Sequence, residues 1–149
     1  MLIGVQFQKK SKRKAWEWEA KGDYKFFTSS QTQKKFVNEY DFTGPALIFG
    51  TGGSASIHYC EEQFSTSTDC FVLKNTDPEI DLKYVGYFLR WNINLLEESF
   101  KWAWLEHISK EYLWAIQIPL PSIADQKAII KKLDKIVHLI ELKEQSIRK

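Results

Sequence analysis

The residues Ile116–Lys149 read IQIPLPSIADQKAIIKKLDKIVHLIELKEQSIRK, an apolar stretch that meets two prolines and turns at once into a long charged segment. Trp114, Ile116 and Ile118 alternate in the manner of a half-buried strand, which predicts a strand over Trp114–Ile118. Pro119 and Pro121 have no N–H to give a sheet and so end it. Ser122 with Asp125 fits a helix start, a hydroxyl satisfying orphan amides and an acid at the positive helix end. From Ile129 the apolar positions step by four and three through Leu133, Ile136 and Ile140, then past Lys143 to Ile147, which is a heptad seam. A core-facing helix gives the same pattern over so few heptads. The Pro-x-Pro exit argues instead for a helix held away from the body. The expected division is therefore residues 1–118 as a globular domain and 119–149 as a Pro-rich exit and helix.

Upstream, LIGVQF and YKFFTSS read as strands around a turn at Gly22 and Asp23, and ALIFG as a buried strand ending in GTGGSAS. SIHYC and DCFVLKN continue the β pattern. After Asp77-Pro78, Leu82, Val85, Leu89 and Leu96 recur at helical spacing, predicting a helix through LKYVGYFLRWNINLLEES. Strands, a helix, a strand and a terminal helix make an α+β fold with a twisted sheet. The 149 residues suffice for one core with an appendage, and 16 Phe and Tyr with 6 Trp make the interior aromatic. MLIGVQF is too short for a secretory apolar segment and no run of 18 apolar residues occurs, so a cytoplasmic protein is expected, with no membrane partner.

The net charge of +2 hides a segregation. Residues 1–35 carry nine Lys/Arg against three acids and residues 127–149 seven against three, leaving the middle acidic. A basic front such as KKSKRK suits a phosphate backbone, although a solvated loop has the same composition. Cys60 and Cys70 have neither redox nor zinc spacing and read as reduced core thiols. A metal shared with His58 and His107 lacks a regular ligand spacing, so none is expected. GTGGSAS lacks the Gly-Lys-Ser/Thr ending of a nucleotide-binding loop and reads as a tight turn. No nucleophile elbow, HExxH or Asn-Pro-Pro-aromatic motif is present, and Trp102, Trp104 and His107 in FKWAWLEH read as core packing.

ISKEYLWAIQIPLPSIADQKAIIKKLDKI resembles the junction segment of the specificity subunits of type I restriction-modification systems. KSKRKAWEWEAKGDYKFFTSS and YDFTGPALIFGTGGSASIHYCEEQFSTSTDCFVL look like the target recognition domain of the same family, so the resemblance covers nearly the whole chain. It implies a non-catalytic, sequence-specific reader of double-stranded DNA that brings DNA methyltransferase subunits and a restriction subunit to their target. It needs no cofactor of its own, the methyl donor belonging to the methyltransferase. Such subunits usually carry two recognition domains and two helices. One of each implies a half-size subunit, pairing as a homodimer or with another half through Ile129, Leu133, Ile136, Ile140 and Ile147, or else a fragment of a longer product. On this reading Lys12, Arg13, Lys14, Lys34 and Lys35 grip phosphates. Ser29, Ser30, Gln31 and Gln33 reach base edges, and Gly52, Gly53, Ser54 and Ser56 lie near the DNA. The alternative is a partner protein that engages a methyltransferase subunit through its helix and touches no DNA.

Overall fold

The computed structural model describes residues 4–102 and 108–148, the side chains of residues 99–102 excepted. Trp104 and His107, with the side chain of Trp102, lie outside the described residues. Eight strands precede four helices: β1 (Val5–Phe7), β2 (Tyr24–Phe27), β3 (Lys35–Val37), β4 (Phe42–Thr43), β5 (Ala46–Gly50), β6 (Ser56–Cys60), β7 (Gln63–Thr66), β8 (Cys70–Asn75), α1 (Leu82–Trp91), α2 (Ile93–Trp102), α3 (Lys110–Ala115) and α4 (Ile123–Ile147).

The strands form two four-stranded sheets, β1-β8-β5-β6 and β3-β2-β7-β4, rather than the one sheet expected. The first is antiparallel throughout, and the second contains one parallel pair, β2 with β7. ALIFG in β5 is apolar at four of five positions because both its faces are covered. Ala46 and Ile48 meet Phe27 and Phe64 of the second sheet, with Cys60, Cys70 and Val72. Leu47 and Phe49 face the helices, among Val85, Leu89, Leu113 and Ile130. The order of layers is therefore sheet, sheet, helices, an α+β architecture. Both cysteines are free thiols in these buried surroundings, and burial pushes Cys70 up to about 12, leaving it an unreactive packing group.

Leu82, Val85, Leu89 and Leu96 are all buried, as their spacing predicts. The single helix expected there is broken into α1 and α2 at Asn92, whose side-chain amide donates to the Phe88 carbonyl at 2.8 Å and competes with the helical ladder. The strand expected over Trp114–Ile118 is a second correction. Ser109 caps α3, accepting from the Tyr112 N–H at 3.1 Å, and the chain after Ala115 runs without a sheet partner among the described residues. Ile116 and Ile118 are nevertheless buried, so the alternation reports packing and not sheet pairing. Strand β7, QFST, is polar in text, yet Ser65 and Thr66 are fully enclosed beside Phe64.

The terminal helix begins as its sequence predicts, with Ser122 accepting from the Asp125 N–H at 3.2 Å. Its first turns, however, are clasped by α1 rather than held away from the body. Gln126 is fully buried: its carbonyl oxygen accepts from the Asp81 N–H at 2.9 Å, and its amide donates to the carbonyls of Glu79 and Pro121 at 2.8 and 2.9 Å. The Tyr84 hydroxyl donates to the Pro119 carbonyl at 2.8 Å. Lys83 pairs with Asp134 at 3.0 Å, and the Tyr87 hydroxyl donates to the same carboxylate. Beyond Val137 every described residue of α4 is exposed. Gln126→Leu keeps the volume but orphans the Asp81 N–H and the Glu79 carbonyl, for an expected loss of about 2–4 kcal/mol. Urea unfolding checks it: the midpoint falls at an unchanged slope.

Candidate nucleic-acid interface

Strand directions gather the candidate residues. In the first sheet β1 and β5 point one way and β6 and β8 the other, in the second β2 and β7 point one way and β3 and β4 the other, and the β7–β8 turn joins the two. The segment after β1 and the turns β2–β3, β5–β6 and β7–β8 therefore emerge at one end of the two sheets. TSSQTQ and GTGGSAS, separate in sequence, share that end.

Hydrogen bonds stitch these segments together. The Ser29 hydroxyl donates to the Asp69 carbonyl at 3.2 Å and accepts from the Gly52 N–H at 3.3 Å. Thr51 donates to the same Asp69 carbonyl at 2.7 Å, and the Gln31 amide reaches the Ala55 carbonyl at 3.2 Å. The Arg13 carbonyl accepts from the Thr68 N–H at 2.8 Å, which attaches the basic segment to the β7–β8 turn. Gly50 makes the approach possible: a Cβ there meets the Ser29 Cα at 2.8 Å and the Ser56 hydroxyl at 2.2 Å. Gly53, at φ +73°, turns the β5–β6 tip through the left-handed region.

The sequence-predicted residues fall into distinct environments. Lys12, Lys14, Gln31, Lys34, Gly53 and Ser54 are exposed at or beside this end, with Ser29, Ser30, Gln33, Lys35 and Gly52 half-buried. Lys35 carries its ammonium over the Trp18 ring at 5.2 Å. Gln33 donates its amide to the Lys35 carbonyl. Ser56 differs from the expected surface group, being 4% exposed beneath Gly50. Arg13 differs too: its Nε donates to Asp41 at 3.0 Å and to Ser65 at 3.1 Å, and its Nη2 to Glu39 at 3.3 Å, so the side chain is tied to β7 and the segment before β4. Burial disfavours the Asp41 carboxylate, but the hydrogen bonds from Ser65, Arg13 and Ser11 outweigh it and hold the carboxyl below its usual range. This knot anchors the basic segment, which lines an open cleft of about 630 Å³ with Lys9, Lys10 and Lys12. Arg13, Asp41 and Ser65 are too far apart in sequence for any spacing rule to join them. Among the described residues no His/Cys/Asp/Glu group has the arrangement of a metal site.

Of the pairing residues, Leu133 is half-buried while Ile129, Ile136, Ile140 and Ile147 are exposed. They form a stripe beside the one that Gln126 and Ile130 bury, and Leu139 and Leu142 extend its apolar surface.

Residues 4–149 match the type I restriction modification DNA specificity domain, and the chain belongs to that family. It is 27% identical over 120 residues to the type I restriction enzyme EcoDI specificity subunit of Escherichia coli, covering 80% of this chain and 26% of that protein. Its fold matches the type I restriction-modification S subunit of M. genitalium at a TM-score of 0.74 and 17% identity, over 96% of this chain and 40% of that one. The HsdS subunit of Thermoanaerobacter tengcongensis matches at 0.64 and 15%, over 96% and 37%. The chain thus spans about a quarter of the curated relative and two-fifths of these structures. No helix among the described residues is long and apolar enough to cross a membrane.

His58 fastens the β2–β3 loop, its Nε2 lying 2.9 Å from the Ser30 carbonyl, with the ring against Phe27 at 5.1 Å. Burial disfavours its cation, the bond to Ser30 opposes this, and the charge of Arg90 adds to the burial, so its pKa lies below 6.5. The neutral ring therefore contributes stability that is complete above about pH 6.5 and is lost as pH falls through the lower folded value. His58→Gln keeps a donor and removes the titration. Between about pH 7 and 5, urea midpoints of the unaltered chain should fall more steeply than those of the variant. Parallel curves would assign the acid sensitivity to other groups.

Proposed function

We propose that this chain is a sequence-reading module of a cytoplasmic type I restriction-modification system, and that it binds double-stranded DNA with the loop-bearing end of its two sheets. The observation that carries the reading is the convergence of four segments, from distant parts of the chain, into one hydrogen-bonded polar surface beside lysines that form no ion pair among the described residues. In this division of labour residues 1–118 recognise DNA, and 119–149 form the exit and a spacer helix. Lys12, Lys14, Lys34 and Lys35 meet phosphates, which position the protein without specifying sequence. Ser29, Ser30, Gln31, Gln33, Gly52, Gly53 and Ser54 approach the base edges, where an amide suits adenine. Arg13 and Ser56 act from beneath, holding the surface in shape. The chain does no chemistry itself; it brings methyltransferase subunits, and through them a restriction subunit, to the site.

Family membership and the similarity to a named restriction-enzyme specificity subunit support this reading. The exposed stripe on α4 supports pairing with a second copy or another specificity half, because a projecting helix gains most of its stability from a packed apolar face. Two-fold pairing makes the target an interrupted palindrome.

A complex of the full chain with its methyltransferase subunit should hold the methylated sequence about a thousandfold or more tighter than a scrambled duplex. Equal affinities would reject DNA reading in favour of a partner protein that touches no DNA. Replacing Leu133 and Ile136 together by Asp places charge in the seam. The variant should sediment as an unpaired chain and lose full-site methylation; a variant that still pairs and methylates the original site removes the helix from the pairing role.

A further inference from the structure

Lys10 and Lys110 stand 100 positions apart in sequence, yet their ammonium groups approach the same ring. The Lys10 nitrogen lies 4.6 Å from the Phe71 ring centre and the Lys110 nitrogen 5.3 Å from it, so the two charges are at most about 10 Å apart. Lys110 also lies 5.5 Å from the Phe7 ring, which meets Phe71 edge-on at 5.7 Å. Neither lysine forms an ion pair among the described residues. Attraction to the rings accounts for each lysine singly, since an aromatic face draws a cation. It does not account for two like charges within about 10 Å of each other, neither of them in an ion pair among the described residues.

Their place in the fold supplies the other half of the argument. Phe71 is the second residue of β8, paired with Phe49, and so lies at the end where the four loop segments emerge. Lys10 belongs to the segment that follows β1. Lys110 opens α3, and the residue two before it, Ile108, donates its N–H to the Thr51 carbonyl at 3.1 Å, tying that part of the chain to the β5–β6 turn. The pair thus sits on the helix-side flank of the polar loops, whereas Lys35, over Trp18, marks the flank on β3 of the other sheet.

We propose that Lys10 and Lys110 form a two-lysine clamp for a backbone phosphate of the bound DNA, on the opposite flank of the reading surface from Lys34 and Lys35. The inference rests on the DNA-reading function above and adds α3, a helix outside the β-sheet loops, to the contact surface. An incoming phosphate relieves the repulsion between the two ammonium groups, while Phe7 and Phe71 keep the lysine stems from swinging away. Because the ligand is the backbone, the clamp adds affinity and leaves the choice of sequence to the loops.

The test uses the full chain with its methyltransferase subunit, carrying Lys10→Met and Lys110→Met singly and together. Methionine keeps an unbranched stem over the rings and removes the charge. Because one phosphate is held by both lysines, the double change should lower the slope of log affinity against log salt by about 0.9 and each single change by part of that, on target and scrambled duplexes alike. Arg at both positions should restore the slope. Circular dichroism and thermal melts establish that the variants fold; should the double variant not fold, the single changes and the Arg pair carry the same comparison. An unchanged slope in a folded variant, or a loss confined to the target sequence, overturns the clamp. A failure of the unaltered complex to prefer its target overturns the DNA-reading function itself, so the two failures are distinct.

Discussion

Strand β5 is covered on both faces, and the rest of the arrangement follows from that constraint. Ala46 and Ile48 bind the second sheet while Leu47 and Phe49 bind the helices, so five residues fasten all three layers. A one-residue slip would exchange these two sets of side chains, which makes the register strongly specified. Fixing β5 between β6 and β8 fixes where Gly50 ends the strand, and Gly50 is where the Ser29 loop comes close enough to share hydrogen bonds with Gly52 and Asp69. The polar loop surface is thus a consequence of core packing carried to the end of the strands.

The same logic applies to the terminal helix, which carries two adjacent stripes. Gln126 and Ile130 belong to the body, while Ile136, Ile140 and Ile147 are exposed. Leu133 lies where the stripes meet. By satisfying both Glu79 and Asp81 at the start of α1, Gln126 sets the direction in which the second stripe leaves the domain. A spacer needs this property, since an unclasped helix would transmit no fixed distance or angle.

The parts legible in the sequence are those with a local cause. Ser122 and Asp125 announce a helix start, Leu82, Val85 and Leu89 show one apolar face, and ALIFG can only be a buried strand. What could not be read depends on distant partners. QFST becomes a strand because it pairs in parallel with β2 and in antiparallel with β4, and no alternation records that. Trp114, Ile116 and Ile118 alternate like a strand, but a Ser109 cap and burial against the helices give a helix and an extended run instead. At the candidate site the polar loops were visible as composition, while their union was not: the bonds from Ser29 to Asp69 and from Gln31 to Ala55 span 40 and 24 positions. Arg13 looked like one cation among several until Asp41 and Ser65 claimed it.

The central claim, that the stitched loops choose the DNA sequence while the helix sets spacing, is tested most directly by exchange. Residues 28–34 and 51–55, which contact one another, are replaced together by their counterparts from a relative with a different target. Methylated adenines are then mapped across the genome. The account predicts new half-site bases separated by the original number of unread positions. A folded, methylating hybrid that keeps the original half-site, or one that changes the spacing instead, would contradict it.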